Sequence, residues 1–317
     1  MNTINSKDVV LGFSIASENL NINRDWLNQL NVFPVADKDT GTNMSISLKA
    51  VASSITSSGC PKDVFGQSVE ILLQHAYGNS GTILTLFFQG VFLALPNNET
   101  LTPKDLAKGF SKGYEMAYEY TNNPMPGTIL SVAKKIADIS DFYYLEHCNL
   151  EDENPWTTFC REAFSVLPLT AAQNPVLSRY NMVDAGALGF CIILDSFRIG
   201  FSINRNSGKV PDSLTSNLPK YQTLENLQPV INIESPSPQS TSAYRYCTEV
   251  VIKLEAGNDL KEGSLNQQLE PLGDCLIIVT TNSHAKVHIH TNEPERAIST
   301  VAAYGEVISS KIDDMLE

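Results

Sequence analysis

The sequence is poor in cysteine, in histidine and in positive charge. Its 317 residues include six cysteines, which are scattered without paired spacing along a chain too long to need disulfide staples. A disulfide-rich secreted domain is therefore excluded, and reduced thiols in a cytosol are expected. Lys and Arg number 22 against 35 Asp and Glu, which gives a formal net charge of −13. Such an acidic chain repels nucleic acid and anionic membrane surfaces, so neither is expected as a partner.

Neither a signal peptide nor a membrane span is expected from the sequence. The first residues, MNTINSKDVV, lack a basic start followed by an apolar run. The most apolar stretch, residues 81–95, is interrupted by Gln89 and Gly90 and is too short to cross a bilayer. We therefore expect a cytoplasmic protein with no integral membrane part. With 42% hydrophobic residues, the chain can build the cores of one large and one small domain.

Hydrophobic periodicity divides the chain into two regions. Up to about residue 205 apolar residues recur at helical spacing, in residues 9–20, 107–120, 129–139 and 190–201. Thr102 is the expected N-cap of one of these helices, with Pro103 at the first helical position. Residues 206–242 are rich in Ser, Pro, Asn and Gln and are predicted to be a flexible linker. The predicted boundaries are thus 1–205, 206–242 and 243–317.

The region after the linker alternates between strand and helix patterns. Strands are predicted over residues 244–254, 275–281, 286–291 and 307–312, and helices over 265–269 and 294–304. The order β-α-β-β-α-β indicates a small split-βαβ, or ferredoxin-like, α+β domain. The usual sheet order of that fold places the first and third strands side by side. The predicted class is therefore a multidomain α+β protein whose first domain is all helical.

Two carboxylates, Asp37 and Asp39, stand close together in a proline-containing loop that leads into a helix near Asn43. Carboxylates at this spacing repel each other unless a cation lies between them, and oxygen ligands suit Mg²⁺ carrying nucleotide phosphates. The N-terminus of the following helix is expected to hold phosphate oxygens through free N–H groups. On spacing alone, an Asx-type turn before a capped helix remains an open alternative.

A glycine-containing turn at residues 78–82, GNSGT, separates two apolar helical segments. Its backbone N–H groups are suited to bind phosphate, although such a turn also serves as a simple helix connector. Nothing in the sequence matches the phosphate loop G-x-x-x-x-G-K-[ST] or the protein-kinase signatures. Any ATP site must therefore be built by another fold.

Four segments together resemble a known family. Residues 30–44 (LNVFPVADKDTGTNM), 78–84 (GNSGTIL), 126–132 (PGTILSV) and 183–189 (VDAGALG) look like the nucleotide-site signatures of the dihydroxyacetone-kinase nucleotide-binding (DhaL/DAK2-type) family. Their wording is nearest to the ATP-binding subunit of bacterial fatty acid kinase. The resemblance implies a barrel of antiparallel helices with ATP and two Mg²⁺ at one end.

The resemblance also implies roles for individual residues. Asp37 and Asp39 would be catalytic metal ligands, and Asn31 falls near the position of a third carboxylate. The phosphates would be lined by Thr40, Asn43, Asn79, Ser80, Gly81 and Thr128, and the nucleoside by Asp184 and Gly186. Two positions depart from the family pattern: Lys38 stands where the family usually has glycine, and Pro126 stands where the fatty acid branch usually has glutamate.

The implied reaction is transfer of the ATP γ-phosphoryl group to a fatty acid carboxylate presented by a separate carrier protein of the DegV type. Because a fatty acid is already ionised at neutral pH, no catalytic histidine is required, and His75 is expected to be a packed core residue. Phosphorylation of dihydroxyacetone or another small molecule remains an alternative, as does a non-catalytic ATP-binding regulatory module. A homodimer is also left open.

The second region contains a pattern typical of a transition-metal site. Cys247 and Glu249 alternate on the first predicted strand, and His288 and His290 alternate on the third. Period two places each pair on one sheet face, and adjacent strands would bring a thiol and two imidazoles within reach of one Zn²⁺. An isolated His-x-His is usually structural, but these segments also resemble the middle domain of the ATP-binding chain of fatty acid kinase, where a Cys and two His bind metal. Water, Glu249 or a substrate group is expected as fourth ligand.

Overall fold

The computed structural model describes residues 3–145, 155–202, 243–254 and 262–316. Residues up to 202 form a helical part, and residues from 243 form a small α+β part, so the predicted multidomain α+β class is confirmed. The predicted linker, residues 206–242, lies outside the described residues. The exact domain boundaries therefore stay a prediction.

The described helical part consists of nine helices that close into a ring. They are α1 (Ser6–Leu30), α2 (Thr40–Ser54), α3 (Pro61–His75), α4 (Gly78–Ala94), α5 (Pro103–Glu119), α6 (Ile129–Leu145), α7 (Pro155–Gln173), α8 (Pro175–Tyr180) and α9 (Ala185–Ser202). From α1 to α8 each helix packs against the next in the chain, and α9 packs against both α7 and α1. The loops between these helices meet at the ends of the ring, where a ligand site can be assembled from several loops.

Local sequence signals explain the start of α5 and the centre of the ring. Thr102 Oγ1 accepts a hydrogen bond from Asp105 N, and Asp105 Oδ2 accepts one from Thr102 N, so the predicted N-cap is a full capping box. At the centre, the Phe13 ring lies 5.1 Å from Phe88 and 4.9 Å from Phe197. These aromatic contacts join α1, α4 and α9 in one hydrophobic core.

One described helix, Ala185–Ser202 (α9), is long and apolar enough to span a bilayer by length and composition. It is mostly buried inside the protein, where it packs against α1 and α7. Its hydrophobicity is explained by this central position, because a helix surrounded by other helices needs apolar residues on all sides. His75, in contrast, is exposed at the last turn of α3, so its expected place in the core is wrong.

The α+β part is a four-stranded antiparallel sheet with order β2-β3-β1-β4. Its strands are β1 (Tyr246–Lys253), β2 (Gly273–Thr280), β3 (His284–Thr291) and β4 (Glu306–Asp314), and its helices are α10 (Glu262–Leu269) and α11 (Pro294–Ala302). The predicted neighbourhood of β1 and β3 is confirmed. Cys247 lies directly opposite His290 in their register, and Glu249 lies opposite His288.

The two faces of this sheet have different neighbours. Val250 and Ile252 of β1, together with Val287 and Ile289 of β3, pack with α10 and α11 in the small domain's own core. The alternate residues Val251, Ile277 and Val279 belong to the hydrophobic core of the helical ring. The sheet therefore docks on the ring by its second face, which is also the face that carries Cys247, Glu249, His288 and His290.

Candidate functional site

One cleft of about 660 Å³ is lined by both the helical ring and the sheet. The helical side carries the predicted residues Asn31, Asp37, Asp39, Thr40, Asn43, Asn79, Ser80, Thr128, Asp184 and Gly186, and the sheet side carries Cys247, His288 and His290. Gly81 differs from these, because it is buried beside α2, where an added Cβ would lie 3.0 Å from Ser47 Oγ. The predicted magnesium, nucleotide and zinc residues thus share one cavity.

Asn31, at the end of α1, organises the loop that carries the two aspartates. Its Oδ1 accepts hydrogen bonds from the backbone N–H groups of Asp39 and Thr40, both at 3.0 Å, and its Nδ2 donates to the Val35 carbonyl at 3.0 Å. The side chain is buried. The side-chain oxygen of Asn31 therefore holds the loop in this structure, and ligation of a metal by Asn31 stays a prediction.

Asp37 and Asp39 form a carboxylate pair in the cleft. The Asp37 side chain is exposed to the solvent in the cleft, but the cleft walls partly desolvate it. This desolvation, together with the charge of Asp39, raises the pKa of Asp37 to about 8. Two carboxylates that cannot both ionise easily are a donor set that fits a hard divalent cation. The residues present therefore fit Mg²⁺.

Lys38, between the two aspartates, has a left-handed backbone with φ of +58°. Glycine adopts this conformation without the steric cost that a Cβ brings. The geometry accounts for the glycine usual in the family at this position. In this structure Lys38 itself adopts the left-handed conformation, so the turn between the two carboxylates is formed without glycine.

The start of α2 differs from the expectation that it holds phosphate. Its Thr40 N–H donates to Asn31, and its Thr42 N–H donates to Asn28 Oδ1 at 3.0 Å. Asparagine side chains from the end of α1 thus already satisfy two N–H groups that would otherwise face a ligand. The phosphate-binding role expected of these two groups is therefore not available in this structure.

The start of α4 has two backbone N–H groups that are not satisfied in this way. Gly78 has φ of +65°, and an added Cβ there would lie 2.6 Å from Asn43 Nδ2, so glycine is required on both counts. The first N–H groups of a helix have no partner inside it, and those of Asn79 and Ser80 take none elsewhere among the described residues. These two N–H groups and the positive end of α4 face the cleft that holds Asp37 and Asp39.

Asp184, Gly186 and Thr128 complete the helical side of the cleft. Asp184 caps α9 by accepting a hydrogen bond from Ala187 N at 2.7 Å, and burial raises its pKa to about 7. Gly186 lies against the α4 turn, since an added Cβ would be 3.1 Å from Ser80 Oγ. Thr128 donates to the Met125 carbonyl at 2.8 Å. The VDAGALG and GNSGTIL segments, which are far apart in the sequence, are therefore neighbours.

On the sheet side, Cys247, His288 and His290 form a compact cluster. Their donor atoms all lie within 4.8 Å of one another, and Cys247 Sγ is 3.8 Å from His288 Nδ1. Burial disfavours charge at this place, but the paired groups lower the pKa of Cys247 and raise the pKa of His288 to about 9. His288 Nε2 is buried without a hydrogen-bond partner in the described part of the chain, and His290 Nδ1 has only an ion-pair contact, with Asp274 Oδ1 at 3.5 Å. The donor set and the orphaned His288 nitrogen fit Zn²⁺.

Glu249, one of the three expected candidates for the fourth zinc ligand, is buried. Its Oε1 accepts hydrogen bonds from Gly78 N at 2.9 Å and from His288 Nδ1 at 3.2 Å, and its Oε2 lies 3.4 Å from Lys286 Nζ. Both oxygens are therefore occupied. A carboxylate beside an imidazole is the arrangement that fixes the orientation and tautomer of a metal-binding histidine.

Sequence reasoning missed two residues of this cluster, Asp274 and Cys275. Together with His290 they form a second group of possible ligands, and Asp274 Oδ1 lies 3.5 Å from His290 Nδ1. Cys275 has φ of +51° and lies in a β-bulge between Asp274 and Ile277, where the pairing of β2 with β3 shifts. Nothing in the sequence pattern pointed to them, because a bulge breaks the period-two alternation.

Comparison with known proteins assigns both parts of the chain. The family model of the DAK2 domain matches residues 34–198, and the family model of the FakA-like middle domain of fatty acid kinase matches residues 243–317. Protein YloV of Bacillus subtilis is 31% identical over 306 residues, which cover 95% of this chain and 54% of the relative. Uncharacterized protein SSP1546 of Staphylococcus saprophyticus is 30% identical over 311 residues, which cover 95% and 53%. The chain thus spans about half the length of these relatives.

Among solved structures, the dihydroxyacetone kinase of C. freundii in its native form is similar to part of the chain. The match covers 59% of this chain and 33% of that one, with 18% identity and a TM-score of 0.44.

Proposed function

Because the chain belongs to the DAK2 domain family and carries a FakA-like middle domain, we propose that it is an ATP-dependent phosphotransferase of the cytoplasm. The proposed acceptor is a fatty acid carboxylate presented by a separate binding protein of the DegV type, and the product is an acyl phosphate. The observation that supports this proposal is that the Asp37 and Asp39 pair shares one cleft with the available N–H groups of Asn79 and Ser80.

The groups on the helical side of the cleft have distinct tasks in the proposed reaction. Asp37 and Asp39 would hold Mg²⁺, whose charge neutralises the phosphate oxygens when it is bound. The N–H groups of Asn79 and Ser80 would donate to phosphate oxygens at the positive end of α4. Asp184 and Gly186, on the wall beside Ser80, would border the nucleoside. These groups position the γ-phosphoryl group for attack from the open side of the cleft.

The proposed chemistry needs no general base. A carboxylate oxygen of the fatty acid attacks the γ-phosphorus in line, the bond from that phosphorus to the bridging oxygen breaks, and ADP leaves with the bridging oxygen. The attacking carboxylate has no proton to lose at neutral pH. This agrees with the phosphate side of the cleft, where the polar groups are carboxylates and backbone donors.

Delivery of the acyl chain by another protein is supported by the size of the cavities. The large cleft carries acidic and polar groups around Asp37 beside apolar side chains such as Ile83 and Leu130, and in the proposed reaction ATP occupies it. The apolar cavity between the aromatic residues of the ring has a volume of only about 10 Å³. An acyl chain needs a long apolar pocket to leave water. We therefore propose that the carrier keeps the chain and exposes only the carboxylate to the cleft.

The proposal also includes a zinc ion bound by Cys247, His288 and His290. Thiolate and imidazole ligands favour zinc over magnesium, and a site with three protein ligands retains an open position. When bound, the zinc would supply a positive charge on the sheet side of the cleft. Cys275 and Asp274 are near enough to His290 to serve as alternative fourth ligands.

The test is acyl phosphate formation by the purified protein with Mg·ATP and a fatty-acid-loaded carrier, detected by trapping with hydroxylamine. Asp37→Ala and Asp39→Ala are each expected to lose at least about 100-fold in turnover while the helical circular-dichroism signal is kept. Asp138→Ala is the matched control, because Asp138 is an exposed aspartate of α6 that pairs only with Lys134 among the described residues. Full activity of both cleft variants would refute the metal assignment.

The same assay separates the acceptor from the other possibilities. Rates that saturate with carrier concentration would support delivery by a protein. Equal rates with free fatty acid or dihydroxyacetone and no carrier would contradict it. Binding of Mg·ATP without turnover on any acceptor would identify a regulatory module instead of an enzyme.

A further inference from the structure

A buried ion pair of the sheet contacts the turn before α4 across the domain interface. Lys286 of β3 is 2% exposed and Glu249 of β1 is 5% exposed, and their charged groups lie 3.4 Å apart. Lys286 Nζ donates to the Ala76 carbonyl, and Glu249 Oε1 accepts from Gly78 N at 2.9 Å. The pair therefore bonds to the backbone on both sides of Tyr77.

These contacts cap the facing ends of two helices. Ala76 is the C-cap of α3, and Gly78 is the first residue of α4. The C-terminus of a helix favours a positive charge and the N-terminus favours a negative one, so the ammonium and the carboxylate each lie at the end that suits them. They also satisfy a carbonyl and an N–H group that the helices themselves leave without partners.

The turn is held from the other side by the helical ring. Tyr77 N donates to Ser47 Oγ of α2 at 3.1 Å, and Asn43 fills the space beside Gly78. Asn79 and Ser80, whose N–H groups face the cleft, follow directly. The position of these donors thus depends on α2 on one side and on the Glu249–Lys286 pair on the other.

A buried ion pair is a costly way to stabilise an interface, because desolvation of the two charges offsets much of their attraction. Apolar residues of similar size would pack the same place at least as well. Nothing but hydrogen-bonding groups, however, would fix the Ala76 carbonyl and the Gly78 N–H in defined directions. The ion pair therefore serves the geometry of this turn more than the stability of the interface.

We propose that Glu249 and Lys286 are positioning residues for the nucleotide phosphates, and that the small domain completes the phosphate turn of the helical domain. The inference rests on the proposed function for its ligand, Mg·ATP. Because Glu249 also bonds to His288, one hydrogen-bond chain leads from the Cys247, His288 and His290 cluster to Gly78.

The experiment compares two double variants that leave no unpaired buried charge. Glu249→Ala with Lys286→Met removes both caps, whereas Glu249→Gln with Lys286→Met keeps an amide oxygen that accepts from Gly78 N. The control is His284→Gln, because His284 contacts Glu70 of α3 across the same interface at 3.6 Å but makes no hydrogen bond to residues 76–81 in the described part of the chain. Each protein is first checked for cooperative thermal unfolding.

Two measurements then follow, namely amide hydrogen exchange of residues 77–81 without nucleotide, and calorimetric titration with Mg·ATP. The alanine variant is expected to exchange faster at these amides and to bind Mg·ATP about tenfold more weakly, with the glutamine variant recovering the protection of Gly78. Unchanged exchange in the alanine variant would overturn the positioning role even if Mg·ATP binds to the wild type. Absence of Mg·ATP binding by the wild type would refute the proposed function instead, and the exchange data would still decide the role of the pair.

Discussion

Replacement of Asp184 by asparagine should change the pH dependence of stability in a defined direction. Asp184 is buried at the start of α9, and its carboxylate accepts a hydrogen bond from Ala187 N at 2.7 Å. Burial raises its pKa from 3.8 to about 7. The folded protein therefore binds the proton of this group more tightly than the unfolded chain does.

The sign and the size of the effect follow from that difference. Between pH 4 and pH 7 the unfolded chain loses the Asp184 proton while the folded protein keeps it, so the free energy of unfolding falls as the pH rises. A pKa raised from 3.8 to about 7 corresponds to at most about 4 kcal/mol, which is fully lost above pH 7. Asparagine keeps an acceptor oxygen for the helix cap but does not titrate. The variant should therefore be more stable than the wild type, relative to its own value at pH 4, by up to this amount at pH 8.

The assay is urea unfolding followed by helical circular dichroism from pH 4 to pH 8.5. The difference between variant and wild type cancels the titration of groups remote from Asp184. Asp138→Asn in α6 is the control, because that carboxylate is exposed and its pairing with Lys134 is open to solvent. A difference that stays within about 1 kcal/mol over this range, or that falls with pH, would refute the buried and proton-binding state of Asp184.

Three further predictions concern the cleft. Protein purified without chelator or histidine tag should contain one zinc per chain by elemental analysis. The zinc should be lost in a Cys247→Ser, His290→Ala double variant but kept in Cys60→Ser, and its affinity should fall as the pH drops through the imidazole range. An unchanged metal content in the double variant would exclude the site. Lys38→Gly should raise the melting temperature by a few degrees, because it removes about 1 kcal/mol of left-handed backbone strain. Lys38→Ala keeps the Cβ and should leave the melting temperature unchanged, so equal melting temperatures of the glycine variant and the wild type would contradict this reasoning. The rate of acyl phosphate formation should saturate with the concentration of loaded carrier, and a linear rise with free fatty acid would speak against a protein-bound acceptor.

Much of the local structure follows directly from the sequence. The capping box of Thr102 and Asp105 is a local pattern, so the start of α5 could be predicted from four residues. Period-two alternation placed Cys247, His288 and His290 on one sheet face, and the strand order brought them together, because an antiparallel register aligns direct neighbours. The pairing of Asp37 with Asp39 likewise depends on residues two apart.

Other features could not be predicted because they depend on long-range neighbours. The N–H groups at the start of α2 bond to Asn28 and Asn31, whose side chains gave no sign of this partner in the sequence. Cys275 joins the cluster through a bulge, which shifts the register that alternation assumes. His75 lies in an apolar helical sequence, but the end of α3 at that residue leaves it in solvent.

Residue type and short spacing are enough to predict the family, the two kinds of secondary structure and the donor atoms that each cluster offers. The packing of the polar face of the sheet on the helical ring, by contrast, depends on the complete fold, and it places the thiol and imidazoles in one cleft with the aspartates. A period-two pattern shows which side chains share a face but not what that face contacts. The bond from Gly78 to Glu249 joins residues 171 positions apart, and such contacts arise only when the whole chain is packed.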